Sequence, residues 1–370
     1  RNQAARSIGF NNFWHMNVVL QEYDVDALLS IFKELDELTL EPFIQIKAEI
    51  DAELSKKFQV STANLRPWHY DNPFFQEAPP SDNVNPDLFY SHLQKEDILN
   101  IATRFFSDIG LDVSDILERS DLYDKPGKDQ HAFCIDIDRL GDVRILTNIK
   151  ANAKWMETTL HELGHAVYSK YIDRSLLYNL RDSAHIFTTE AVAMFFGALA
   201  INPAWMIKYI KLDPNVARDY EKYLMIQRRR EQLIFARWTL VMLNFEKSFY
   251  ENPDQNLNKL WWDLVERYQK LNRPSNRNKA DWASKPHFTI APVYYHNYML
   301  GELFAAQLRN TLVSLKLYTS DFKPTKQFGN FFIRKVFKPG ASRKWSDFVS
   351  FVTGSPLSSK FFVSEITPRT

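Results

Sequence analysis

Cysteine is almost absent from this chain. Cys134 stands alone in 370 residues, so no internal disulfide forms and no Cys-rich zinc module is available. Glycine is scarce too, at 10 residues, against 28 Phe, 9 Trp and 16 Tyr. That balance disfavours Gly-rich turns and sheets and favours long helices packed by aromatic side chains. Neither sign of charge is in excess: 46 Lys plus Arg face 45 Asp plus Glu, a net charge of +1. Attachment to nucleic acid or to an anionic membrane surface as the main function calls for a basic excess, and both are excluded. No run approaches the ~18 to 20 apolar residues that cross a bilayer; Ala191–Ile201 comes nearest. The expectation is a soluble chain with no integral membrane segment and no nucleic-acid partner. The chain opens on Arg1 rather than Met, so a targeting segment would lie upstream, and the compartment is not decided by this sequence.

What is present is helical spacing. Leu28, Ile31, Phe32, Leu35, Leu38, Phe43, Ile46, Ile50 and Leu54 recur at three- and four-residue steps, and Pro42 predicts a break into two amphipathic helices between Tyr23 and Phe58. Leu65 to Pro86 carries Pro67, Pro73, Pro79, Pro80 and Pro86 among Trp68, Tyr70, Phe74 and Phe75, an aromatic-anchored loop. A helix follows near Gln94 to Ile109. The period then shortens: His131–Asp138 and Asp142–Ile149 alternate around Leu140-Gly141 and predict a β-hairpin, with Cys134 buried in it. Helical spacing returns over Lys154 to about Tyr171, Thr188–Ala200, much of Tyr220–Glu266 and Tyr294–Leu315. The fold class is mainly α, as one large domain or two lobes sharing a core.

The sharpest chemical signal is His161-Glu162-Leu163-Gly164-His165. Two imidazoles four apart on a helix project from one face and can chelate one Zn²⁺, with Glu162 beside the metal. A catalytic zinc takes three protein ligands, and Glu190, at the start of an apolar helix twenty-five residues after His165, is the candidate third. Two His and one carboxylate suit zinc, while related geometries also hold Mn²⁺ or Fe²⁺.

These residues, taken with others, resemble the gluzincin metallopeptidases, most closely the angiotensin-converting enzyme family of peptidyl-dipeptidases and more distantly the thimet oligopeptidase family. The matching features are His131-Ala132 opening the hairpin, HELGH, the Glu190 helix, Trp261-Trp262 with Tyr268-Gln269, Lys285-Pro286-His287, Tyr295-His296-Asn297-Tyr298, and Gly340-Ala341-Ser342 with Trp345 and Thr353-Gly354. They cover roughly residues 65–362. The resemblance implies one catalytic domain over 1–370 in two lobes, a deep substrate channel, and a small antiparallel sheet beside the zinc site. It places the zinc-site core at about 131–200 and the substrate-binding and oxyanion segment at about 261–315. The family's catalytic domain is longer, which implies that N-terminal lid helices are missing here.

By the same resemblance Glu162 is the general base and acid, Tyr298 and His287 stabilise the oxyanion, and Lys285 and Tyr295 grip the C-terminal carboxylate of a peptide. His131 lies where substrates pair with the sheet edge. The implied activity is zinc-dependent hydrolysis of short peptides with release of C-terminal dipeptides. Its alternatives are an endo-acting oligopeptidase, a carboxypeptidase, or a noncatalytic peptide-binding protein on the same scaffold. The chain departs from the family in three places. His296 and Asn297 stand where an anion-binding Arg is common, so the resemblance does not extend to chloride activation. Met194 replaces an Asp that supports a zinc-binding histidine, which requires another acceptor. No Gln completing the carboxylate clamp is found around Trp68-His69-Tyr70. Arg228-Arg229-Arg230 reads as a solvated helix face, and for His185, five residues before Glu190, a structural place is the leading reading and support of a zinc ligand or of substrate the lesser one.

Overall fold

A computed structural model describes residues 1–79, 85–319, 322 and 324–367. Among them are fourteen α-helices and one two-stranded antiparallel sheet, the mainly α class expected. The chain divides into two compact units. The first comprises Arg1–Ser81, Met225–Met299 and Phe362–Thr370; the second comprises Asp82–Leu224 and Leu300–Phe361.

The first unit corrects one expectation. Val25–Phe58 is a single 34-residue helix that runs through Pro42. Leu28, Phe32, Leu35, Thr39, Phe43, Ile46, Ile50 and Leu54 are all buried and stay in phase across the proline. Seven buried apolar side chains at ~1.5–3 kcal/mol each outweigh the ~3 kcal/mol of an interior proline. Asp24 caps the start by accepting from Ala27 N–H at 2.8 Å, and Gln59 ends the helix in the left-handed region at φ 56°. A second correction concerns the arginine triplet. Arg230 is buried and ion-paired, its guanidinium on Glu53 at 2.7 Å and Glu49 at 3.2 Å, rather than solvated.

The proline-rich loop is ordered by its aromatic residues over the described part; Pro80 and residues 81–84 lie outside it. Tyr70 is buried with its hydroxyl on Asp51 Oδ1 (2.6 Å) and receives a hydrogen bond from Lys47 Nζ (2.8 Å). Gln269 Nε2 then donates to the carbonyls of Phe74 (3.0 Å) and Phe75 (2.7 Å), fixing where the loop leaves the core.

In the second unit the predicted hairpin forms as β1 (Phe133–Asp136) and β2 (Val143–Leu146), with Cys134 opposite Ile145. Asp138 closes it, its Oδ1 accepting from the backbone N–H groups of Leu140, Gly141 and Asp142 at 2.7–3.1 Å. Cys134 is half-buried rather than buried, because β1 is an edge strand with Phe133 and Ile135 exposed. Both strands pack on the helix Ala153–Tyr171. Behind that helix lies an aromatic core that includes Phe105, Phe106, Phe195, Phe196, Phe328 and Phe332.

Candidate active site

The histidine helix starts at Ala153 because Asn152 accepts from Trp155 N–H (2.9 Å), and runs to Tyr171. It packs on the helix Ile186–Gly197, and glycine sets the spacing. A Cβ on Gly164 would stand 2.8 Å from Ala193 Cα, and one on Gly197 would stand 3.4 Å from His161 Cβ. On the far side of the second helix, a Cβ on Gly301 would stand 3.2 Å from Glu190 Cβ. Three of the ten glycines therefore serve close backbone approach around the ligand side chains.

That approach brings His161, His165 and Glu190 together, with ligand atoms all within 4.8 Å of one another. Each imidazole Nε2 lies 3.8 Å from Glu190 Oε2. Donors about 2.1 Å from one tetrahedral ion stand about 3.4 Å apart, so small side-chain rotations complete the set. Burial holds the His161 imidazolium down to about 4, with Lys154 adding to the shift, and burial holds His165 well below its ordinary value, with His161 beside it. Both rings are therefore neutral at pH 7, the form that binds a metal. Glu162, buried on the same helix, has its acid raised to about 8 by desolvation and by the Glu190 carboxylate. Two neutral imidazoles and the Glu190 carboxylate make a two-nitrogen, one-oxygen donor set, and that set fits zinc.

The acceptor that Met194 cannot supply is Thr189. His165 Nδ1 lies 2.7 Å from Thr189 Oγ1, which leaves Nε2 toward Glu190 and fixes the ring. Sequence reasoning missed Thr189 although it directly precedes the ligand. His185 turns out to be the N-cap of the Glu190 helix, its Nδ1 accepting from Phe187 N–H at 3.4 Å. His131 is fully exposed two residues before β1, its backbone N–H on Asp129 Oδ1 (2.9 Å).

The remaining predicted residues gather in the first unit. Lys285 Nζ donates to Gln76 Oε1 at 2.7 Å and sits over the rings of Phe74 (4.3 Å) and Trp238 (5.0 Å). Gln76, just beyond the Phe74-Phe75 pair, is a glutamine beside Lys285 that the sequence reading did not pick out. Tyr295 immediately precedes the helix His296–Ser314 rather than lying within it. Its hydroxyl accepts from Trp238 Nε1 at 2.7 Å, and burial raises its pKa to about 12. The Tyr298 ring stands 5.3 Å from that of Tyr295 and 6.1 Å from His287. His287 is kept neutral by burial and by Lys285, and its Nδ1 is buried without a partner among the described residues.

The family model for angiotensin-converting enzyme matches residues 68–364, most of the chain and every one of these site residues. The chain belongs to the angiotensin-converting enzyme family. Proteins similar to it include carboxypeptidase 1 of Bacillus subtilis, 24% identical over 94% of this chain and 69% of that protein. Angiotensin-converting enzyme of Rattus norvegicus is 22% identical and that of Mus musculus 23%, each over 96% of this chain. The chain spans 29% of the length of either rodent protein.

Proposed function

We propose that this chain is a zinc-dependent peptidase that hydrolyses short peptides and releases C-terminal dipeptides. The observation that carries the reading is the convergence of His161, His165 and Glu190 beside the buried carboxyl of Glu162. When bound, zinc supplies Lewis acidity that polarises a scissile carbonyl and lowers the pKa of an attacking water. Glu162 takes the proton of that water and delivers it to the leaving amine. Tyr298 and His287 donate hydrogen bonds to the developing oxyanion. Lys285, Tyr295 and Gln76 hold the peptide's C-terminal carboxylate, and His131 meets the peptide at the sheet edge. Chloride has no part in this proposal. Asn297 is a buried neutral carboxamide whose Nδ2 already donates to Gln21 Oε1 (2.8 Å) and Tyr294 O (3.0 Å).

The similarity to a Bacillus carboxypeptidase supports a second reading, removal of single C-terminal residues. An unblocked decapeptide separates the two. Mass spectrometry of its products should show successive losses of two residues, abolished by a chelator and restored by zinc. Single-residue losses would replace the dipeptidase reading with the carboxypeptidase one. Internal cuts that persist on a C-terminally amidated peptide would replace both with an endo-acting oligopeptidase. No cleavage with zinc bound would favour a noncatalytic peptide-binding protein.

A further inference from the structure

Val293 is a β-branched residue held at φ +56° with its side chain fully buried. The left-handed region is disfavoured for such a residue by about five- to thirtyfold, so surrounding contacts must impose it. Both of its backbone groups are held by side chains from elsewhere in the first unit. Val293 N–H donates to Glu246 Oε1 at 2.7 Å, and Val293 C=O accepts from Gln21 Nε2 at 2.8 Å. Gln21 reaches further. Its Oε1 accepts from Asn297 Nδ2 at 2.8 Å, and Asn297 Oδ1 accepts from Tyr23 O–H at 2.6 Å. Glu246, Asn297 and Tyr23 are all buried. One glutamine near the start of the chain thus ties residue 293 to residue 297, bracketing the turn that carries Tyr295 into the helix bearing Tyr298.

We propose that Gln21 and Glu246 are positioning residues that hold Val293 in its left-handed conformation and thereby set the direction of Tyr298. This rests on the proposed role of Tyr298 in peptide hydrolysis. Tyr295 is also held by Trp238 Nε1, outside the clamp. A shift of about 1 Å at a group acting in the transition state is enough for a large rate loss, while substrate binding is retained.

The test uses the full chain. Hydrogen exchange at the Val293 amide reads the clamp without reference to activity: Glu246→Leu should exchange about tenfold faster or more, and Glu246→Gln, which keeps an acceptor, should stay near the parent chain. If Glu246→Leu fails to fold, Gln21→Ala carries the same measurement. On a cleaved peptide, Gln21→Ala should lower kcat about five- to thirtyfold with KM within about threefold, and adding Val293→Gly should recover most of that loss. In a Tyr298→Phe background, Gln21→Ala should change kcat by less than about twofold. Unchanged exchange, a loss not recovered by glycine, or full additivity with Tyr298→Phe would overturn the proposal. If the parent chain cleaves no peptide, the proposed activity fails separately, and the exchange rates still decide the clamp.

Discussion

In the second unit the metal cluster comes from thirty residues of chain, His161 to Glu190, on two helices that touch through glycine. In the first, Gln76, Trp238, Lys285 and Tyr295 meet from distant points of the chain through hydrogen bonds and aromatic contacts. The former is rigid because backbone sets it: there is no side chain at Gly164 to relax. The latter is held by polar side chains in an apolar setting, where each bond must be satisfied or the arrangement loosens. The proposed metal chemistry, which needs fixed ligand geometry, sits on the first kind of support, and the proposed recognition of peptides on the second.

Glu162→Gln should break the metal unit's chemistry while sparing its structure. Hydrolysis should fall about 10³-fold or more with zinc stoichiometry unchanged, read by turnover and metal analysis on one preparation. Retained turnover would remove Glu162 from its role. Glu246→Gln tests the polar unit from the opposite direction. Burial raises the Glu246 acid from 4.5 to about 7, so folding favours its protonated form. The resulting penalty is absent below pH 4.5, grows as pH rises, and is complete above about 7. Removing the charge should stabilise the protein at pH 8 by up to about 3 kcal/mol and have little effect at pH 4.5, seen as a pH-dependent gap between melting curves. A gap independent of pH would refute the buried charge.

Gly164→Ala should destabilise by about 1–3 kcal/mol, because the added carbon meets the backbone of Ala193 rather than a movable side chain. Differential scanning calorimetry measures it, and a neutral result would mean the helix pair can separate. Smallest is Thr189→Val, which keeps shape but removes the acceptor for His165. Zinc affinity should drop about ten- to a hundredfold in a competition titration, with the melting temperature of the metal-free protein little altered.

This contrast also explains what the sequence disclosed. HELGH and Glu190 are close in the chain and lie on regular helices, so period and spacing convey their geometry. The hairpin was legible for the same reason, in the alternation around Leu140-Gly141. The single helix through Pro42 was not, since local breaking tendency says nothing about how much burial lies on either side. Arg230 misled because its two glutamates belong to another helix. Gln76 was invisible because nothing in its neighbourhood signals a partner 209 residues away. Thr189 was in plain view, but a threonine in the first turn of a helix has many ordinary uses.

The chain crosses between its units four times, in the order first, second, first, second, first. Neither unit is therefore a continuous stretch, and a ribosome delivers their parts in alternation. The metal ligands are made well before Lys285, by roughly 5–20 s at ~5–20 residues per second. Gly301, the neighbour of Glu190, comes later still. A nascent chain thus possesses its ligands long before the segment that packs against them. In order of synthesis the metal ligands therefore precede Leu300–Phe361, the stretch that completes their own unit.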